Sequence, residues 1–132
     1  MQKLAKDLTI DLKADKPGAI AKATEAIANA GINLDGYTES KGTLHTLTDD
    51  APRTRRALED AGFQVIDEKE VLLVDVDDRP GTAAAIFRRI ADSDVNVDFS
   101  YLSAHNRMVI GAKNVKKLTE VLSMESAGSA RR

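Results

Sequence analysis

The sequence predicts an α+β fold in which one small unit, an antiparallel sheet with two helices on one face, is built twice over. Three observations carry this. The chain repeats at a shift of 63 positions, each copy reads strand, helix, strand, strand, helix, and the segment joining the copies reads as one long strand. Lay "DKPGAIAKATEAIANAGINLD" (15–35) on "DRPGTAAAIFRRIADSDVNVD" (78–98). Asp15, Pro17 and Gly18 fall on Asp78, Pro80 and Gly81; Ala21, Ile27 and Ala28 on Ala84, Ile90 and Ala91; Asn33 and Asp35 on Asn96 and Asp98. Turn residues and helix core keep one register without a gap, which chance does not maintain.

The elements follow in order. Leu8, Ile10 and Leu12 alternate with polar residues and give a half-buried strand; "VLLVDV" at 71–76 is its more buried counterpart. Pro17 and Pro80 suit a first helical position, where no N–H is needed and φ is already set. The helices behind them carry apolar stripes: Ile20, Ala23 and Ile27 in one, Ala83, Ile86, Phe87 and Ile90 in the other. Gly31 is placed to end the first helix in the left-handed conformation. Two hairpins follow, "INLDGYTES" with "TLHTLTDD" and "VNVDFSYLSA" with "RMVIGAK", turning at "KG" and "HN". A second helix is expected over about residues 52–61 in the first copy and 114–123 in the second.

Strand, helix, strand, strand, helix, strand is the ferredoxin-like βαββαβ order. "FQVIDEKEVLLVDV" can close the first unit and open the second without a linker. "SMESAGSARR" carries no strand pattern, so the second unit lacks a closing strand of its own. The expected organisation is a first repeat over 4–69, a second over 70–123 whose closing strand is missing or supplied by a neighbour, and a flexible tail over 124–132. Units of about 60 residues are marginal alone, and an uncovered edge is a liability, so a homodimer is expected.

Composition narrows the function. The chain has 132 residues, no Cys, a net charge of -2 and a pI near 5.7. Without Cys there is no disulfide scaffold and no thiolate metal site. A near-neutral charge and 4% aromatics argue against a nucleic-acid platform. No apolar run approaches a membrane span and no signal-peptide pattern opens the chain, so no membrane partner and a cytoplasmic address are expected. His45 and His105 do not correspond in the repeat, which speaks against a metal pair; they read as strand surface and turn polarity. Asp75, Asp77 and Asp78 read as capping and solvated groups, and Arg53, Arg55 and Arg56 as an exposed helix face. There is no phosphate cradle and no nucleophile elbow, so neither catalysis nor a cofactor is expected.

The repeated turn has two readings. In the structural one, Asp15 and Asp78 cap helix N–H groups, Gly18 and Gly81 allow close packing, and Asn33 and Asn96 cap the strand that follows. In the functional one, a glycine-opened helix N-terminus holds a carboxylate, while an amide and an Asp nearby take an ammonium group, a set matched to a free amino acid.

The pattern D-x-P-G, an apolar helix and then [IV]-N-[LV]-D resembles the ACT domain, a regulatory module of amino-acid metabolism. The second copy, "PGTAAAIFRRIADSDVNVDFSYLS", is similar to the regulatory ACT segment of aspartate kinases. The resemblance covers about residues 4–122. It implies tandem ferredoxin-like ACT modules joined side by side, with a free amino acid bound at an interface between modules and signalled allosterically. Carried over by position, the implied ligand-binding residues are Asp78, Arg79, Pro80, Gly81, Thr82, Asn96 and Asp98, with Asp15, Gly18, Ala19, Asn33 and Asp35 in the first copy. Tyr37 or Tyr101 borders the side-chain pocket. Asp94 stands where the family has Gly, and no kinase domain is present. The implied partners are the amino acid, a second copy, and a client enzyme or regulator; the alternative is a ligand-independent assembly module.

Overall fold

The computed structural model describes residues 2–13 and 16–129. Their elements are β1 (Gln2–Asp11), α1 (Ala19–Asn29), β2 (Gly36–Ser40), β3 (Thr43–Leu47), α2 (Ala51–Asp60), β4 (Gln64–Asp75), α3 (Thr82–Asp92), β5 (Phe99–Ser103), β6 (Arg107–Gly111) and α4 (Val115–Ser129). The repeat is visible in these bounds. α1 and β2 recur 63 positions on as α3 and β5, whereas β3 and α2 recur 64 positions on as β6 and α4. The extra residue lies in the second hairpin. Lys41 and Gly42, both at positive φ, join β2 to β3, while Ala104, His105 and Asn106 join β5 to β6.

The expected pair of ferredoxin-like modules joined side by side is corrected by the sheet. Two complete modules need eight strands. Six are present among the described residues, in one closed order, β1-β3-β2-β5-β6-β4. The physical reason is strand length. β1 has 10 residues and β4 has 12, against 5 in each of the others, so both long strands serve in two places. By contacts the chain divides into two compact units: residues 5–70, and residues 2–4 with 71–129. The division cuts both β1 and β4. The α+β class stands.

In the unit of residues 5–70, Leu8, Ile10 and Leu12 of β1 bury one strand face with Leu44 of β3, Ala23 and Ile27 of α1, and Leu58 of α2. Register places Ile10 opposite Leu44. In the other unit Leu72, Met108 and Ile110 pack with Ile90 of α3 and with Leu118 and Leu122 of α4, and Leu72 lies opposite Ile110. Each such aliphatic side chain contributes about 1.5–3 kcal/mol when fully buried. The helix stripes shift slightly from expectation. Ile20 and Ala83 are exposed, and Ala19 joins the first core instead. Gln2 reaches α4, its amide donating to Thr119 O and to Ser123 Oγ.

Three helices end in the same way. Gly31 N–H bonds Ala28 O and Ile32 N–H bonds Ile27 O; Gly62 and Phe63 close α2 on Glu59 and Leu58; Asp94 and Val95 close α3 on Ala91 and Ile90. These paired bonds form the Schellman motif, whose first residue past the cap is left-handed. α4 runs on to Ser129, past position 123.

Candidate functional site

Both copies of D-x-P-G form a type II β-turn that leads into a helix. Gly18 has φ 95° and ψ -15°, and Gly81 has φ 91° and ψ -14°. Ala19 N–H bonds Lys16 O at 3.3 Å and Thr82 N–H bonds Arg79 O at 3.4 Å. This turn wants Pro in its second place and a residue of positive φ in its third, which Pro-Gly supplies. The prolines therefore precede the helices instead of opening them. Each glycine is the N-cap, its carbonyl taking the first helical bond from Lys22 or Ala85.

The turn corrects the capping and packing readings. No side chain caps α1 or α3, and neither first turn holds an acidic residue. Asp78 is exposed, and Asp15 lies outside the described residues. A Cβ at Gly18 or Gly81 would meet nothing within 4 Å, so these glycines are there for their φ and not for close packing. Each helix thus begins with N–H groups that no side chain satisfies.

Three concave surfaces lie near the expected residues. An open cleft of about 850 Å³ in the unit of residues 5–70 is lined by Gly18 and Ala19 together with Asp11, Lys13, Lys16, Lys22 and Phe63. In the other unit a pocket of about 230 Å³ gathers Asp77, Asp78, Arg79, Thr82, Leu102 and Asn106. Arg79 there pairs with Asp77 at 3.2 Å. A separate pocket of about 280 Å³ holds Asn96 and Asp98 with Lys113 and Lys117.

The structure thus gathers Asp78, Arg79 and Thr82 but parts them from Asn96 and Asp98. The 11 residues of α3 lie between, a rise of about 16 Å. Asn33 and Asp35 are likewise absent from the lining of the first cleft. Each Asn instead bonds its own Asp: Asn33 Nδ2 donates to Asp35 Oδ1 at 2.7 Å, and Asn96 Nδ2 to Asp98 Oδ1 at 3.4 Å. Of the tyrosines, Tyr37 is exposed, while Tyr101 is buried and stacks on Phe99 at 6.2 Å.

Sequence reasoning missed a buried polar group. Asp7 is 0% exposed, and its Oδ1 takes a hydrogen bond from Thr9 Oγ1 at 3.1 Å and contacts His45 Nδ1 at 3.1 Å. His45 is therefore no strand-surface residue. Thr9 and His45 face each other across β1 and β3, and the Thr9 hydroxyl and the Asp7 carboxylate both contact the same ring nitrogen of His45, Nδ1. Arg53 is structural too. Its backbone N–H bonds the N-cap Asp50, and its guanidinium donates to Ala30 O at the end of α1. Among the described residues no group of three or more His, Cys, Asp or Glu could hold a metal, and no helix is long and apolar enough to cross a membrane.

No protein-family model and no curated protein matches the chain. Solved structures do. Protein BT0572 from Bacteroides thetaiotaomicron is similar at 28% identity and a TM-score of 0.80, over 95% of this chain and 90% of that one. The regulatory subunit of aspartate kinase from Thermus flavus aligns at 18% identity and a TM-score of 0.67, over 94% of both chains. Aspartokinase III of E. coli, in complex with lysine and aspartate, aligns at 14% identity and a TM-score of 0.59, over 92% of this chain and 32% of that enzyme. The fold is ACT-like, the fold of aspartate kinase regulatory domains.

Proposed function

We propose that this chain is a regulatory protein that binds a free amino acid at its Pro-Gly turns and signals it allosterically to a client enzyme. The observation that carries the reading is the turn itself. It is built twice, and each time it leaves a helix N-terminus without a side-chain cap beside a concave surface. Such an end offers a carboxylate free N–H groups and a partial positive charge. In the second unit Asp78, which lines the same pocket as Thr82, would take the ammonium group. The fold shared with aspartate kinase regulatory domains supports the same reading.

Signalling is a population shift. The ligand favours whichever arrangement of the protein binds it more tightly, in proportion to that difference in affinity. A homodimer gives the shift a second copy to act on. The test is a thermal-shift screen of the full chain against the twenty amino acids, with nucleotides as controls. A ligand at 100 times its Kd adds about 2.7 kcal/mol, which raises Tm by several degrees. A rise with one or a few amino acids is expected. No rise with any of them contradicts ligand sensing and makes the ligand-independent assembly module the better account.

A further inference from the structure

The two turns share a backbone but differ in charge. Around the first, the described residues lining the cleft include Lys13, Lys16 and Lys22, against Asp11 and Glu25. Around the second stand Asp77 and Asp78, against Arg79. Lys16 corresponds to Arg79 in the repeat, whereas Lys22 corresponds to Ala85. The cations also differ in whether they are engaged. Arg79 is held by Asp77 at 3.2 Å. None of the three lysine ammonium groups has an ion-pair partner among the described residues. Asp11 is occupied in part, since its Oδ1 accepts the Lys13 backbone N–H at 2.8 Å.

We infer that the cleft of residues 5–70 takes a small molecule with two anionic groups, such as an acidic or phosphorylated amino acid. The inference rests on the amino-acid reading of these turns and deepens it for one of them. One exposed lysine beside one anion contributes little. Three that converge on a concave surface focus a positive potential, and a second negative group is the feature of a ligand that would use it. The cleft, at about 850 Å³, has room for such a molecule. The second pocket, at about 230 Å³ and with two carboxylates to one guanidinium, does not suit a second anion.

The test is isothermal titration of the full chain with aspartate, glutamate and O-phosphoserine, each against its neutral counterpart asparagine, glutamine or serine. Succinate and inorganic phosphate serve as anions without an amino group. The titrations are repeated on Lys16→Gln/Lys22→Gln, and on Lys3→Gln/Lys6→Gln, which loses the same charge outside the cleft. The expected result is binding of at least one acidic ligand ten-fold or more tighter than its neutral counterpart. That preference should vanish in the cleft variant and persist in the control. Whether aspartate or O-phosphoserine binds more tightly separates a carboxylate from a phosphoryl ligand. Equal affinity for the charged and neutral members, or a preference untouched by the cleft variant, overturns the inference and leaves the amino-acid reading standing. Lysine-dependent binding of succinate or phosphate, with no amino acid bound, does the opposite. No binding of any kind overturns both.

Discussion

Asp7, Thr9 and His45 occupy the same places in the unit of residues 5–70 that Val71, Leu73 and Val109 occupy in the other. Register settles the equivalence. Thr9 lies opposite His45 across β1 and β3, and Leu73 lies opposite Val109 across β4 and β6. All six residues sit on the strand face turned away from the helices. Five of them are classed as buried, and His45 keeps only 18% of its side chain exposed. One copy thus fills the covered face with a hydrogen-bonded polar trio, and the other with aliphatic side chains. The backbone plan tolerates either solution, but their costs differ. Aliphatic groups need only shape, whereas each polar atom needs a partner.

The largest expected effect comes from breaking the polar trio. Asp7→Ala removes the acceptor that Thr9 and His45 share and should lower stability by about 1–3 kcal/mol, the range for a buried polar group left without its hydrogen-bond partner. Replacing all three at once by their counterparts, Asp7→Val, Thr9→Leu and His45→Val, should cost less than Asp7→Ala alone, because the three groups leave together and none of them loses the other two as partners. Urea unfolding of both variants measures the contrast. If the triple variant is as unstable as the single one, the two solutions are not interchangeable.

A second contrast lies one residue pair further along. Gly111 occupies the place of Leu47, and a Cβ there would come within 2.5 Å of the Phe99 ring on the neighbouring strand. Gly111→Ala should therefore cost about 1–3 kcal/mol by overpacking. The double variant with Phe99→Leu should recover part of that loss in the same unfolding experiment.

The smallest effect sharpens the comparison of helix ends. Gly31 and Asp94 hold the same left-handed position, at φ 76° and φ 59°. An L-residue is strained there, Asp less than most. Asp94→Gly should raise stability by up to about 1 kcal/mol, and Gly31→Ala should lower it by a similar amount. Calorimetric Tm values that move in the same direction for both would contradict this account of the turn.

Local chemistry made much of this legible. The alternation of Leu8, Ile10 and Leu12 marks a strand, Gly31 marks a helix end, and "KG" and "HN" mark the hairpins. What stayed hidden depends on groups distant in the chain. Polar alternation at Asp7 and Thr9 looks like a solvated face whether or not something covers it. The continuous strand through residues 64–75, closing one unit and opening the next, was legible, but the service of β1 in both units was not. At the candidate site the Pro-Gly turn was read about two residues out of phase, because a glycine of positive φ and not the proline begins the helix. Asn33 and Asn96 were expected beside the turns, but two-residue spacing lets each bond its own Asp instead, an outcome as local as any helix cap.

The most direct test of the central claim is a ¹H–¹⁵N correlation spectrum recorded while the amino acid with the largest thermal shift is titrated in. The account predicts that the amides of residues 19–21 or 82–84, at the open helix ends behind Gly18 and Gly81, move first and furthest. Saturable shifts confined to other surfaces, with those six amides unmoved, would contradict it.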